Sequence, residues 1–128
     1  MPIANVTIAL ASDHAGFRLK ELVRKHLNGL GYPLRDFGTD SDDPVDYPLY
    51  IRPAALAVAD SSCRFGIIFG GTGLGEAMVA NKIHGVRCAV CWTTESARLA
   101  REHNDANMLA IGQRLVAEFV AVGVIDTF

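Results

Sequence analysis

Three short stretches of this sequence carry side chains suited to chemistry: Gly70-Gly71-Thr72-Gly73-Leu74-Gly75-Glu76, Asp13-His14, and Arg101-Glu102-His103-Asn104-Asp105-Ala106-Asn107. The first follows an apolar run, GIIF, and precedes residues with helical spacing. Its bare backbone amides suit either a tight structural turn or an anion cradle at a helix N-terminus. It is not a Walker loop, because no Gly-Lys-Ser/Thr follows. It also departs from the dinucleotide pattern, having a G-x-G-x-G core after the third strand rather than G-x-G-x-x-G after the first. Glu76 would repel a phosphate bound to those amides. It suits a base held ionised at neutral pH, beside amides that stabilise a developing oxyanion. Equally, a carboxylate is a favourable first-turn residue of a helix, and that explanation alone would account for it.

The other two stretches add polar groups at turns. Asp13-His14 directly follows an apolar strand, whereas the 101–107 stretch gathers an imidazole, two amides and three charges between a helix and a strand. A histidine there can cap helix carbonyls instead of meeting a ligand. His26 falls on the apolar face of a helix and His84 in a turn before Gly85, so both are read as structural. No pair of histidines or carboxylates has metal-ligand spacing on one helix, and no metal or cofactor is expected. Cys88-Ala-Val-Cys91 has redox or zinc spacing only on paper. On a strand, side chains three apart point to opposite faces, so these sulfurs read as core residues.

The elements that must position these groups follow from periodicity. Val6 to Ala11 reads as a strand. Leu19, Leu22, Val23, Leu27 and Leu30 form a helical stripe stopped at Gly31, and Tyr32 to Phe37 a short second strand. A second helix is expected around Tyr47 to Val58, with Pro48 in its first turn and Pro53 a doubtful member. Phe65 to Phe69, Val86 to Trp92 and Met108 to Ile111 are the remaining strands. Helices run from Gly73 to Lys82, from a Thr93 or Thr94 cap to Glu102, and from Leu115 to Ile125. Wholly apolar strands alternating with amphipathic helices predict a three-layer α/β/α Rossmann-like domain over residues 1–128, with a five-stranded parallel sheet. Ligands bind such sheets beyond the carboxyl ends of the strands. Four loops should therefore carry the chemistry: Ser12-Asp13-His14, the glycine loop, Trp92-Thr93-Thr94 and Gly112-Gln113-Arg114.

Composition narrows the partners. The chain has 128 residues, half of them hydrophobic, and a net charge of -2 without any Lys/Arg run. This is one domain's worth of core, with no nucleic-acid footprint and no polybasic membrane surface. The amino-terminal MPIANVTIALAS is too short to span a bilayer and lacks the basic start of a signal peptide, so a cytoplasmic location is expected.

Four blocks in order, ASDHAGFRLKELVRKHL, DFGTDSDDPVDYP, GGTGLGEAMVANKIHGVRCAVCW and ARLAREHNDANMLAIGQR, span nearly the whole chain. Together they resemble the type B ribose-5-phosphate isomerases, a family shared with the galactose-6-phosphate isomerase subunits. The resemblance implies metal-free aldose–ketose interconversion through a cis-enediolate, in a homodimer, or a tetramer, with active sites at the subunit interface. One variant of the family uses a cysteine just before Gly-Thr-Gly; Gly70 stands there. The other uses a glutamate just after the loop, which corresponds to Glu76. By resemblance, Thr72 assists proton movement, the amides of Gly71, Gly73 and Gly75 hold the oxyanion, and His103 opens the furanose ring. Asp13 would bind sugar oxygens, Asn104 would position the chain, and His14 and Arg114 would approach the phosphate; apart from the resemblance, Arg18 is one further cation that could meet it. Family members commonly continue into a tail with further phosphate-binding arginines, whereas this sequence ends at Phe128. Ribose 5-phosphate is the simplest substrate. Allose or galactose 6-phosphate, a tetrose phosphate, a free sugar and a non-catalytic sugar-phosphate-binding subunit are the alternatives.

Overall fold

The computed structural model describes residues 3–128, the side chain of Phe119 excepted; residues 1–2 of the amino-terminal stretch read above lie outside the described residues. After a single 3-10 turn at Ile3–Asn5, the chain runs β1 (Ile8–Ser12), α1 (Phe17–Gly29), β2 (Leu34–Asp36), α2 (Pro48–Ala59), β3 (Phe65–Gly70) and α3 (Leu74–Asn81). It continues through β4 (Cys88–Val90), α4 (Thr94–Asn104), β5 (Met108–Gly112) and α5 (Glu118–Thr127). All five strands are parallel, in the order β2-β1-β3-β5-β4. No helix among the described residues is long and apolar enough to cross a membrane.

Strand alternation divides the core into two layers. Ile8, Leu10, Ile67, Phe69, Leu109 and Ile111 face α1, α4 and α5. Ala9, Ala11, Ile68, Met108 and Ala110 face α2 and α3. The small alanines on the second face let α2 lie close to β1, and α2 contributes Ala54, Ala55 and Val58 among others to this layer. Because both faces are covered, β1 and β5 are buried along their whole length, which is why they read as continuous apolar runs. Cys91 packs in the first layer and Cys88 in the second, on opposite faces as strand geometry requires.

The boundaries that differ from the sequence reading have local causes. The fourth strand is only Cys88–Val90, an edge strand paired on one side by β5. On its open side the Asn81 side chain donates to Cys88 O (2.9 Å) and accepts from Cys88 N (2.8 Å). A side-chain amide thus stands in for a neighbouring strand and blunts the edge. Pro48 sits in the first turn of α2, and Pro53 lies inside the helix on its exposed side, so the helix starts on time and continues past it. Thr93 is the α4 cap, in a reciprocal box with Ser96 (3.1 Å in each direction). That helix reaches Asn104, two residues further than periodicity suggested, and puts His103 in its last turn.

Candidate active site

The crevice that matters opens between β1 and β3. The chain leaves β1 toward the α1 face and leaves β3 toward the α3 face, so their carboxyl ends diverge as at a topological switch point. Asp13 is held at this divergence. Its backbone N–H donates to Phe69 O (3.2 Å), and its Oδ1 accepts the Gly16 N–H (2.9 Å), fixing the carboxylate in the β1–α1 turn.

The glycine loop forms the opposite wall. Gly73, the N-cap of α3, has φ = 84°, a left-handed conformation that a residue with a Cβ rarely adopts, and it turns the chain sharply into the helix. Thr72 Oγ1 accepts the Leu74 N–H (3.2 Å). Gln113 N and Arg114 N donate to Gly70 O (2.8 Å) and Gly71 O (2.9 Å), so the β5 exit carries the β3–β5 ladder on into the loop. Glu76, in the first turn of α3, is only 4% exposed. Burial first, and then a hydrogen bond with Asp13 and that residue's negative charge, push its carboxyl up from an ordinary 4.5 to about 7. This corrects the expectation that the helix terminus holds Glu76 ionised. Its favourable effect is real, since the Glu76 backbone N–H lowers the pKa, but desolvation outweighs it. The Glu76 carboxyl is therefore poised to take up and release a proton near neutrality.

Basic groups gather beside this pair. His14, Arg18, Gln113 and Arg114 line a cleft of about 270 Å³ with Ala15 and Asp42. Gln113 Oε1 accepts the Leu19 N–H (3.0 Å), tying the β5 exit to the first turn of α1. His14 Nδ1 accepts from the Val45 N–H (3.3 Å), which leaves Nε2 as the protonated, donating nitrogen of the neutral ring. The loop supplying Val45 is itself fastened. Lys20, fully buried, puts Nζ 2.7 Å from both Asp36 oxygens, and Asp36 Oδ1 also accepts the Gly38 N–H (2.8 Å). Gly38 O and Thr39 N then bond across to Ser12 (2.8 and 3.0 Å).

His103 and Asn104 are elsewhere. The helix carrying them starts at the carboxyl edge of the sheet and ends at the amino edge, where Asn104 O accepts from Arg87 Nε (2.7 Å) and Asn107 N donates to Arg87 O. Both are exposed, and the length of β5, about 16 Å at roughly 3.3 Å per residue, separates their edge from Arg114. The structure thus brings together Asp13, His14, Gly71, Thr72, Gly73, Gly75, Glu76 and Arg114, and leaves out His103 and Asn104. The Trp92-Thr93-Thr94 turn serves as a helix cap. Tyr47, read from sequence only as a helix residue, belongs at the site: its hydroxyl lies against Gly75 beside Glu76, close enough that a Cβ there would meet it at 3.1 Å. The available signal was an aromatic residue just before Pro48, at the end of a turn-rich loop on the ligand edge.

A family model described as Ribose/Galactose Isomerase matches residues 8–128. The chain belongs to this ribose/galactose isomerase family. It is 43% identical to ribose-5-phosphate isomerase B of Escherichia coli over 94% of this chain and 81% of that one. Among solved structures, the ribose 5-phosphate isomerase of Thermotoga maritima superposes with a TM-score of 0.94 at 45% identity, covering 96% of this chain and 85% of that chain. The Mycoplasma genitalium ribose-5-phosphate isomerase B, solved with bound ribulose-5-phosphate, superposes at 0.93 with 35% identity, over 98% and 84% of the two chains. The ribose/galactose isomerase fold and the order β2-β1-β3-β5-β4 therefore describe one architecture, with the crevice at its carboxyl edge.

Proposed function

We propose that this chain interconverts ribose 5-phosphate and ribulose 5-phosphate through a cis-enediolate, with Glu76 as the base. The observation that carries this is the buried Glu76 carboxyl, its pKa about 7, set against Asp13 and the amides of the glycine loop. A carboxylate of that strength removes a proton next to a carbonyl and still returns it at neutral pH. From the aldose, Glu76 takes the C2 proton, the C2–H electron pair forms the C1–C2 double bond, and O1 becomes the oxyanion. The amides of Gly71, Gly73 and Gly75 meet that charge. The Thr72 hydroxyl assists the transfer of the O2 proton to O1, and Glu76 returns its proton to C1 as O2 becomes the ketose carbonyl. Asp13 holds sugar hydroxyls, while His14, Arg18 and Arg114 face the phosphate across their shared cleft.

Ring opening by His103 and chain positioning by Asn104 require a second copy, because one chain holds these residues at the far edge of its own sheet. A homodimer with shared sites is the simplest closed arrangement that supplies them. Exposed apolar residues near the edge strand support it: Leu74 and Met78 (68% exposed) on α3, and Trp92 (52%) at the β4 exit. A phosphorylated sugar does not leave a cell unaided, which supports the expected cytoplasmic location.

The deciding experiment is NMR in deuterated water with ribose 5-phosphate beside ribose, allose 6-phosphate and galactose 6-phosphate. Isomerisation of ribose 5-phosphate, with solvent deuterium entering the carbon next to the carbonyl, is the expected outcome. Turnover confined to a hexose phosphate would move the substrate assignment, and turnover without exchange would replace the enediolate.

A further inference from the structure

Residues 70 and 71 are adjacent glycines, yet neither has a positive φ, so backbone conformation does not explain them. Their surroundings do. A Cβ placed on Gly70 would overlap the Glu76 carboxyl group, running into its carbon and both oxygens. A Cβ on Gly71 would press on the Arg114 guanidinium, 3.2 Å from both Cζ and Nη1. Successive residues of extended chain present opposite faces. The Gly70 side looks toward α3, which carries Glu76, and the Gly71 side toward the cleft shared by Arg114 and the start of α1.

We propose that Gly70 and Gly71 are positioning residues, two neighbouring seats on opposite sides of one backbone, Gly70 receiving the base and Gly71 the phosphate-facing arginine. The missing side chain at 70 is what lets the carboxylate withdraw from solvent, and so produces the burial that sets its basicity. The adjacency matters because consecutive Cα atoms are about 3.8 Å apart, which holds the proton-transfer group and the anion-binding group in a fixed relation whatever the rest of the loop does. The two contacts differ in severity. Rigid overlap at 70 has no escape except moving the carboxylate, whereas the end of a flexible arginine can retreat by a few tenths of an ångström.

This inference rests on Glu76 being the base, and its test separates the two. Gly70→Ala is expected to lower kcat on ribose 5-phosphate about 100-fold or more, in the range of losing a general base. It should also shift the acidic limb of the pH–rate profile downward as the carboxylate is expelled into water. Gly71→Ala should instead act chiefly on KM, raising it several-fold, with a much smaller loss in kcat than Gly70→Ala shows. Stability gives a readout independent of turnover: Gly70→Ala should lower the melting temperature far more in the wild-type chain than in the Glu76→Ala chain, where the seat is empty. Equal losses in both backgrounds, up to a failure to fold in both, would overturn the proposal. So would a wild-type kcat and acidic limb in Gly70→Ala, or one kinetic signature shared by both alanine variants. Full activity in Glu76→Gln would instead remove the base assignment while leaving the steric coupling between 70 and 76 measurable.

Discussion

The two edges of the sheet make different uses of polar residues. At the carboxyl edge, Asp13, Glu76 and His14 are half-buried or buried, Asp13 held by the Gly16 N–H of its own turn and His14 by the Val45 N–H of another loop. At the amino edge, His103 and Asn104 are exposed on the last turn of a helix, and the neighbouring cleft is largely apolar, lined by Ile3, Val6, Leu30, Phe65 and Phe128 among others. A carboxylate inside the first environment acquires a shifted pKa and a fixed direction. The His103 side chain, in the second, stays exposed to solvent on its own chain. The contrast teaches that one chain assembles the proposed proton-transfer residues at a single edge, while His103 and Asn104 could join them only from a second copy, as the proposed dimer supplies.

The largest expected effect tests the carboxyl edge alone. Glu76→Gln keeps the shape and should fold, while kcat falls about two to four powers of ten, the usual loss on removing a general base; stopped or coupled assays of ribulose 5-phosphate formation measure it. Near-normal turnover would end the comparison, because the buried carboxyl would then be structural.

The division of labour between edges has its own test. Mixing the inactive Glu76→Gln chain with an inactive His103→Ala chain, after subunit exchange, should restore about one quarter of wild-type activity, since half the dimers are mixed and each then has one intact site of two. Absence of any recovery, with exchange verified by mass spectrometry, would mean that His103 does not act across an interface.

The smallest expected effect concerns stability and sharpens the electrostatic half of the contrast. The folded pKa of Glu76, about 7, lies above the unfolded 4.5, so between those values the unfolded chain has lost a proton that the native chain keeps. The ionised carboxylate therefore weighs against the fold progressively as pH rises from about 4.5 to 7. Glu76→Gln, which cannot ionise, should gain stability relative to wild type across that window, by on the order of 1–3 kcal/mol from pH 4 to pH 8. Denaturant melts at the two pH values check this. A constant difference would show that the carboxyl is not desolvated.

Much of this was legible beforehand for a simple reason. Parallel strands buried on both faces leave long apolar runs, and amphipathic helices leave stripes, so β1, β3, β5 and α1 could be placed within a few residues from spacing alone. Proline and threonine marked the starts of α2 and α4, and the rule that ligands sit beyond strand carboxyl ends singled out Asp13, the glycine loop and Arg114. The exposed Thr93-Thr94 turn showed the limit of that rule, since a cap and a catalytic loop present the same small polar residues.

What only the tertiary structure decided depends on distances between segments far apart in the chain. Spacing cannot order strands, and the position of β5 between β3 and β4 is what pairs Arg114 with Gly71. Residue type alone made Glu76 a carboxylate beside a helix terminus, and the dipole argued for a low pKa; its burial and its approach to Asp13, which reverse the direction, come from packing. The same holds for Gly70, whose emptiness has meaning only once the Glu76 carboxyl is seen to occupy it. Sequence determines which groups are available because composition and periodicity act locally. Structure determines what they do because solvation and charge depend on everything within a few ångströms, wherever it lies in the chain.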